Sequence, residues 1–155
     1  MRPLIVFHSR TGYTRRVAEE LAGECNGAVD EICPVGERRN LAGYLRCAIE
    51  ARAGRTPPVI AARQDPARFE LVLVGTPIWA WSLSSPVRTY LRQHARELKH
   101  VAFFCTMRGA GAENAFSEMH ALCGRLPLAT LVLTDRELDA RRHGVALDAF
   151  VKALS

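Results

Sequence analysis

The sequence predicts an α/β fold in which a doubly wound parallel sheet of five strands is covered by helices on both faces. Five short apolar segments, each about the length of a buried strand, alternate along the chain with five segments of helical periodicity. Strands that alternate with helices pair in parallel, because each helix returns the chain to the same edge of the sheet. The 155 residues contain no repeat and no linker-like tract, which indicates one domain over residues 1–155.

The predicted strands are segments rich in branched and aromatic residues. The first contains Leu4-Ile5-Val6-Phe7 and is continuously apolar, as expected of a strand that is buried on both faces. Leu71-Val72-Leu73-Val74 in the third strand has the same character. The five strand predictions are residues 4–8, 28–33, 70–75, 100–105 and 127–133.

The predicted helices are defined by apolar residues at intervals of three and four and by capping residues. Asn40 and the Ser85-Pro86 pair are start signals, and Gly54 and Gly124 are stop signals. The residues predicted to face inward are, helix by helix, Val17, Ala18, Leu21 and Ala22; Leu41, Tyr44, Leu45, Ala48 and Ile49; Val87, Tyr90 and Leu91; Phe116, Met119 and Cys123, with a start near Ala112; and Leu147, Phe150, Val151 and Leu154.

Composition disfavours several classes of protein. The apolar content of 48% and charged content of 24% are typical of a soluble globule, and no apolar run approaches the roughly 20 residues of a membrane span. The net charge of +5 is scattered rather than arranged as a stripe, which disfavours nucleic-acid binding. Five cysteines without a Cys-x-x-Cys pair, and five histidines without ligand spacing, predict neither a disulfide framework nor a metal site. Cysteines without a disulfide framework fit a reducing compartment, and the N-terminus does not resemble a secretion signal, so a cytoplasmic location is expected.

Three segments follow strands on the side of the sheet where ligands bind in such folds, at residues 9–14, 76–85 and 106–112. The first, Ser9-Arg10-Thr11-Gly12-Tyr13-Thr14, places three hydroxyls and a glycine before a helix N-terminus, where unpaired N–H groups bind anions. It lacks the spaced glycines of a dinucleotide fold and the Lys-Ser/Thr ending of a nucleotide triphosphatase loop. A terminal phosphate therefore suits it better, although ordinary capping hydroxyls would give the same pattern.

The second segment, Thr76-Pro77-Ile78-Trp79-Ala80-Trp81, contains both tryptophans of the chain. A single tryptophan at a strand end typically packs over the edge of the core. Two tryptophans together on the ligand side of the sheet favour a site whose sides contact a flat aromatic ligand. The turn at its start offers backbone amides and the Thr76 hydroxyl to the edge of a ring.

The third segment follows Cys105, the last residue of its predicted strand, with Thr106-Met107-Arg108-Gly109 and continues through Gly111. Two glycines would let the backbone approach a ligand, although a flexible loop has the same composition. Cys105 lacks an evident paired base and is interpreted as a small buried apolar residue rather than a nucleophile. Together the three segments predict a ligand with a phosphate at one end and a planar ring at the other, which describes flavin mononucleotide (FMN).

These segments resemble those of the flavodoxin-like family of FMN proteins, and the resemblance covers nearly all of the chain. Ser9-x-Thr11-Gly12-x-Thr14 resembles the family's phosphate loop, Gly75-Thr76-Pro77-x-Trp79 its first flavin loop, and Cys105-Thr106 its second. The resemblance implies a three-layer, short-chain fold with strand order 2-1-3-4-5 and non-covalent FMN. The cofactor-binding residues that it implies are Ser9, Arg10, Thr11, Gly12, Tyr13, Thr14, Thr76, Pro77, Ile78, Trp79, Ala80, Trp81, Cys105, Thr106, Met107, Arg108 and Gly109.

Departures from the family pattern bear on function. Tyr13 replaces the asparagine of the phosphate loop, and Ala80-Trp81-Ser82 replaces the glycine and carboxylates that follow the tryptophan in electron carriers. Carboxylates near a reduced flavin lower its reduction potential, whereas a cation such as Arg108 raises it. The sequence therefore favours an oxidoreductase that passes electrons from NAD(P)H or a reductase to a quinone-like or protein acceptor.

Two alternatives remain at this point. A one-electron carrier shares the fold, although its docking face is often acidic, unlike this basic chain. A flavin-free interaction module is the other, and Tyr13 is the residue that favours it. One enzyme that shares the fold is a quinone-dependent protoporphyrinogen oxidase, but no residue of this sequence indicates selection of a porphyrin.

Overall fold

The computed structural model describes residues 2–36 and 41–155, with positions 41 and 44 described by their backbone alone. Its strands form one sheet in the order β2-β1-β3-β5-β6, and all four pairings along this path are parallel. Without the short antiparallel β4, this is the predicted order 2-1-3-4-5, and the predicted fold class is confirmed. The strands are β1 (Leu4–Phe7), β2 (Ala28–Glu31), β3 (Leu71–Trp79), β4 (Ser82–Leu83), β5 (His100–Met107) and β6 (Pro127–Thr134).

The helices include one that the sequence analysis missed, α5, which follows β6 directly. It begins with a capping box in which Thr134 Oγ1 accepts from the Glu137 N–H at 3.1 Å and Glu137 Oε2 accepts from the Thr134 N–H at 2.9 Å. Within the described ranges the helices are α1 (Tyr13–Cys25), α2 (Leu41–Arg52), α3 (Ser85–His94), α4 (Ala112–Cys123), α5 (Asp135–Asp139) and α6 (Gly144–Ala153).

Helices cover both faces of the sheet, so alternate residues of each central strand enter different cores. In β1, Val6 packs into the core beneath α3 and α4, whereas Ile5 packs into the core beneath α1 and α6. The predicted inward faces of these four helices are confirmed. Their buried members are Val17, Ala18, Leu21, Val87, Tyr90, Leu91, Met119, Cys123, Leu147 and Phe150, and Ala22, Phe116, Val151 and Leu154 are partly buried against them.

The packing predicted for α2 is wrong at Leu45 and Ile49, which are 53% and 65% exposed. The helix instead turns the smaller Ala51 inward and packs against β3, β4 and α3. The physical reason for this orientation of α2 is a hydrogen bond, which the buried guanidinium of Arg88 donates to the Ala51 carbonyl at 2.9 Å. The predicted Asn40 cap and the predicted inward side chains of Leu41 and Tyr44 lie outside what the structure describes.

The central strands extend further than predicted, and the extension shapes the ligand side of the sheet. β3 continues to Trp79 because Pro77 still pairs with Thr106 of β5 and Trp79 pairs with Ser82 of β4. Residues 76–85, expected as a loop, therefore form a hairpin in which Ile78 pairs with Leu83. In the described part of the chain, no helix combines the length and apolarity needed to cross a membrane.

Candidate functional site

The carboxyl ends of the central strands surround an open cavity of about 760 Å³. All three segments singled out in the sequence contribute to its lining, together with α5. The predicted convergence of these segments is therefore present in the structure. The lining residues are Thr11, Tyr13, Pro77, Ile78, Trp79, Ala80, Trp81, Thr106, Met107, Arg108, Gly109, Ala110, Asp135 and Asp139.

The turn from β1 into α1 leaves a helix N-terminus beside this cavity without a side-chain cap. Ser9 is buried, and its hydroxyl accepts a hydrogen bond from the Gly12 N–H at 3.2 Å. Gly12 occupies the N-cap with φ of 99°, a conformation that residues with a Cβ rarely adopt. Since glycine has no side-chain acceptor, the first N–H groups of α1 are available to an anion.

Other residues of the first segment take different positions around that helix end. Thr14 is buried, and its Oγ1 lies 2.8 Å from Thr106 Oγ1, which joins the first segment to the third. Thr11 is exposed and lines the cavity. Arg10 is not among the lining residues, and its Nη1 donates toward Cys47 Sγ at 3.5 Å.

Two carboxylates that were not predicted as site residues lie at this cavity, Asp139 in contact with Tyr13 and Asp135 elsewhere in its lining. The Tyr13 hydroxyl donates a hydrogen bond shared between the carboxylate oxygens of Asp139, at 2.9 and 3.1 Å. This hydrogen bond is the main cause that raises the pKa of Tyr13, and the charge of Arg108 acts in the opposite direction. Burial raises the pKa of Asp135, again against the influence of Arg108. The Thr134-x-x-Glu137 capping box is the sequence signal that would have placed both aspartates on a helix here.

The two tryptophans of the hairpin differ in environment. Trp79 is only 6% exposed, yet it lines the cavity, and its ring meets the buried His8 ring edge-on at 5.5 Å and 85°. Trp81 is 60% exposed at the rim. One indole is thus a fixed wall of the cavity, and the other is an accessible surface at its mouth.

Three residues that were expected to face the ligand contact other parts of the protein instead. Thr76 Oγ1 accepts from the Ser84 N–H at 3.1 Å and lies 2.8 Å from the Pro77 carbonyl oxygen, which fastens the base of the hairpin. Cys105 is buried within β5, and burial raises its pKa to about 12. Gly111 does not make room for a ligand as expected, because a Cβ there would lie 2.7 Å from Trp81 Cα. Its missing side chain admits the hairpin.

A sheet of this order, with a cavity where the strand order reverses, defines the class of flavodoxin-like proteins. The family model described as Flavodoxin matches residues 2–139. The chain belongs to this family.

Solved structures share the fold at low sequence identity. A flavoprotein of Lactobacillus acidophilus NCFM in complex with FMN has a TM-score of 0.70 and 23% identity, over 90% of this chain and 97% of that one. A putative flavoprotein of Bacteroides eggerthii DSM 20697 has a TM-score of 0.74 and 22% identity, over 94% and 97%. A flavodoxin of Streptococcus pneumonia TIGR4 has a TM-score of 0.61 and 17% identity, over 99% and 97%. Comparison with curated proteins finds no match.

Proposed function

We propose that this chain is a single-domain, cytoplasmic, FMN-binding redox protein. The observation that carries the proposal is the convergence of three segments on one cavity, with an uncapped helix N-terminus at Gly12 and an indole wall at Trp79. The volume of about 760 Å³ lies within the range of small-molecule sites, roughly 300–1,000 Å³. Membership of the flavodoxin family, and the FMN complex formed by the similar Lactobacillus flavoprotein, support the choice of FMN.

The cofactor would be held by two kinds of residue. The phosphate would accept from the first N–H groups of α1 and from the Thr11 hydroxyl, which lines the cavity. Trp79 and the neighbouring apolar groups would wall the ring. Residues that line the cavity are proposed as contacts, and those outside the lining as supports of its shape, although the backbone N–H of Thr14 also belongs to the α1 N-terminus that is offered to the phosphate. The supports are Ser9, Arg10, Gly12, Thr14, Thr76 and Cys105, and the contacts are Thr11, Tyr13, Pro77, Ile78, Trp79, Ala80, Trp81, Thr106, Met107, Arg108 and Gly109.

An oxidoreductase acting from NAD(P)H or a reductase toward a quinone-like or protein acceptor is our first candidate. FMN would supply one- and two-electron transfer at its ring. Arg108 at the cavity edge would stabilise negative charge there and raise the reduction potential. Trp81, exposed at the mouth, offers a surface on which a second planar molecule can stack.

A one-electron carrier is the second candidate, and Asp135 and Asp139 favour it. The segment after Trp79 lacks the carboxylates of electron carriers, but α5 brings two carboxylates to the cavity from another part of the chain. Carboxylates disfavour negative charge on a nearby reduced ring and lower its potential. Arg108 and these aspartates therefore act in opposite directions, and their balance decides between the candidates.

The first experiment identifies the cofactor. Chromophore released from the denatured protein is identified by mass, and the apoprotein is titrated with FMN, with riboflavin as the matched ligand that lacks the phosphate. We expect the mass of FMN and much weaker riboflavin binding, since the helix N-terminus has no anion to bind in riboflavin. An apoprotein that binds no flavin would overturn the proposal and leave the flavin-free interaction module.

Two further measurements separate the candidates. Oxidation of NADH or NADPH with quinone as acceptor, together with a single two-electron potential, would identify the oxidoreductase. Two widely separated one-electron potentials without turnover of NAD(P)H would identify the carrier.

A further inference from the structure

The tip of the hairpin adopts a backbone conformation that its own residues disfavour. Ala80 and Trp81 have φ of 49° and 60°, in the left-handed region where a Cβ causes strain. A two-residue turn with positive φ at both positions favours Asn-Gly, and Ala-Trp provides neither residue. Contacts from outside the hairpin must therefore hold this conformation.

Two helices provide such contacts, one on each carbonyl of the tip. From α2, Arg52 Nη1 donates to the Ala80 carbonyl at 3.5 Å, and Arg52 Cζ lies 5.8 Å from the centroid of the Trp81 ring. From α4, Asn114 Nδ2 donates to the Trp81 carbonyl at 3.1 Å. Ser82 Oγ also lies 3.4 Å from the Ala80 oxygen, but it belongs to the hairpin itself.

A buried arginine of α3, Arg88, connects α2 with α4. Arg88 is 1% exposed, and it donates to the carbonyls of Ala51 and Arg55, which flank Arg52 in sequence, at 2.9 Å each. Its Nε and Nη2 also bind the Glu118 carboxylate of α4 at 2.6 and 3.1 Å. The two helices that contact the hairpin tip are therefore connected to each other through Arg88.

We infer that Arg52 and Asn114 are positioning residues that hold the strained Ala80–Trp81 tip, and with it the Trp79 wall, in the conformation that receives the flavin ring. Neither side chain lines the cavity, so each acts through the hairpin rather than on the ligand. When the contacts are lost, the tip relaxes toward a less strained turn, and FMN must reorder it on binding, which lowers affinity. This inference rests on the proposed function.

The first test measures FMN affinity at fixed ionic strength. The Arg52→Gln variant loses the charge over the indole and should bind FMN about two- to five-fold more weakly. Asn114→Ala should show a comparable loss, about five-fold. Arg55→Gln is the matched control, because it removes the same charge from an exposed side chain with no hydrogen bond or ion pair among the described residues. It should retain the affinity of the wild type.

The second test asks whether the contacts act by opposing strain. Ala80→Gly removes the Cβ that the left-handed conformation penalises. In this background, Arg52→Gln should reduce the FMN affinity by a smaller factor than it does with Ala80 present, because the strain at residue 80 is relieved and only that at Trp81 remains. An equal loss in both backgrounds would overturn the inference, since an effect of general structure or charge would not depend on residue 80.

A third readout needs no flavin. In a Trp79→Phe apoprotein, Trp81 is the remaining tryptophan of the chain, so its fluorescence quenching by acrylamide reports on the tip alone. Arg52→Gln should increase quenching, and Arg55→Gln should leave it unchanged. A wild type that binds no FMN, with quenching that responds as expected, would refute the proposed function and keep the role of Arg52. If the wild type binds FMN, but Arg52→Gln changes neither the FMN affinity nor the quenching, the inference is refuted and the proposed function is not.

Discussion

The hydroxyl oxygens of Thr14 and Thr106 lie 2.8 Å apart, although 92 positions separate the two residues in the chain. Both side chains are buried. Their contact ties the N-terminus of α1 to the end of β5 and so closes the first and third segments around the cavity. The stability of the apoprotein can report on this closure without any cofactor.

Replacing either threonine alone by valine should destabilise the apoprotein by about 1–3 kcal/mol, because the remaining hydroxyl stays buried without its partner. The Thr14→Val/Thr106→Val double variant should lose less than the sum of the single losses, with a coupling of about 1 kcal/mol. Urea denaturation measures these differences. Thr11→Val, an exposed position in the same segment, should change stability by no more than about 0.5 kcal/mol. Strict additivity would show that the two hydroxyls do not interact.

Removal of the Arg88 guanidinium should be among the most destabilising changes on α3. Arg88→Met leaves the Glu118 carboxylate and the carbonyls of Ala51 and Arg55 without their donor, and we expect a loss of about 3–5 kcal/mol. Arg88→Lys should also be destabilising, because one ammonium cannot reproduce the planar set of donors. Denaturant midpoints measure both effects.

The matched control for Arg88 is Arg92→Met, an exposed arginine on the same helix, with an expected change within about 0.5 kcal/mol. If Arg88→Met does not fold, Glu118→Gln tests the same interaction more mildly, since that side chain is 32% exposed. A midpoint for Glu118→Gln no lower than that of the Arg92→Met control would contradict the role assigned to this network.

Alkaline pH should destabilise the protein partly through Cys105. Burial raises the folded-state pKa from 9.0 to about 12, so the folded state retains a proton that the unfolded state releases. The stabilisation is fully present below pH 9 and is lost as the pH rises from 9 toward 12. Cys105→Ala should therefore flatten the decline of stability over this interval, as measured by urea denaturation at several pH values. An unchanged slope would contradict the raised pKa.

The charges at the cavity edge should shift the potential of the FMN-loaded protein in opposite directions. Asp139→Asn removes negative charge and should raise the potential by tens of millivolts, whereas Arg108→Gln should lower it on a similar order. Potentiometry measures both shifts. Asp148→Asn, on the exposed face of α6, is the charge-matched control and should cause little change. Shifts of the same sign for Asp139→Asn and Arg108→Gln would contradict the electrostatic explanation.

Features that depend on neighbouring residues of the chain are predictable from the amino-acid sequence. The apolar run Leu4-Ile5-Val6-Phe7 predicts a buried strand, and Gly124 predicts a helix end, which the structure places there with φ of 67°. The positions of three segments directly after strands predict where those segments converge. Periodicity and capping are local properties, and the rule that ligands bind at the carboxyl ends of strands needs no side-chain detail.

Contacts between side chains far apart in the chain are visible in the folded structure alone. Ile49 is exposed because the hydrogen bond from Arg88 to the Ala51 carbonyl sets the orientation of α2. Asp139 bonds to Tyr13, although 126 positions separate the two residues in the chain. The left-handed conformation of Trp81 likewise depends on Arg52 and Asn114, which lie on two separate helices. Such contacts depend on the relative placement of whole elements, and no local pattern contains that information.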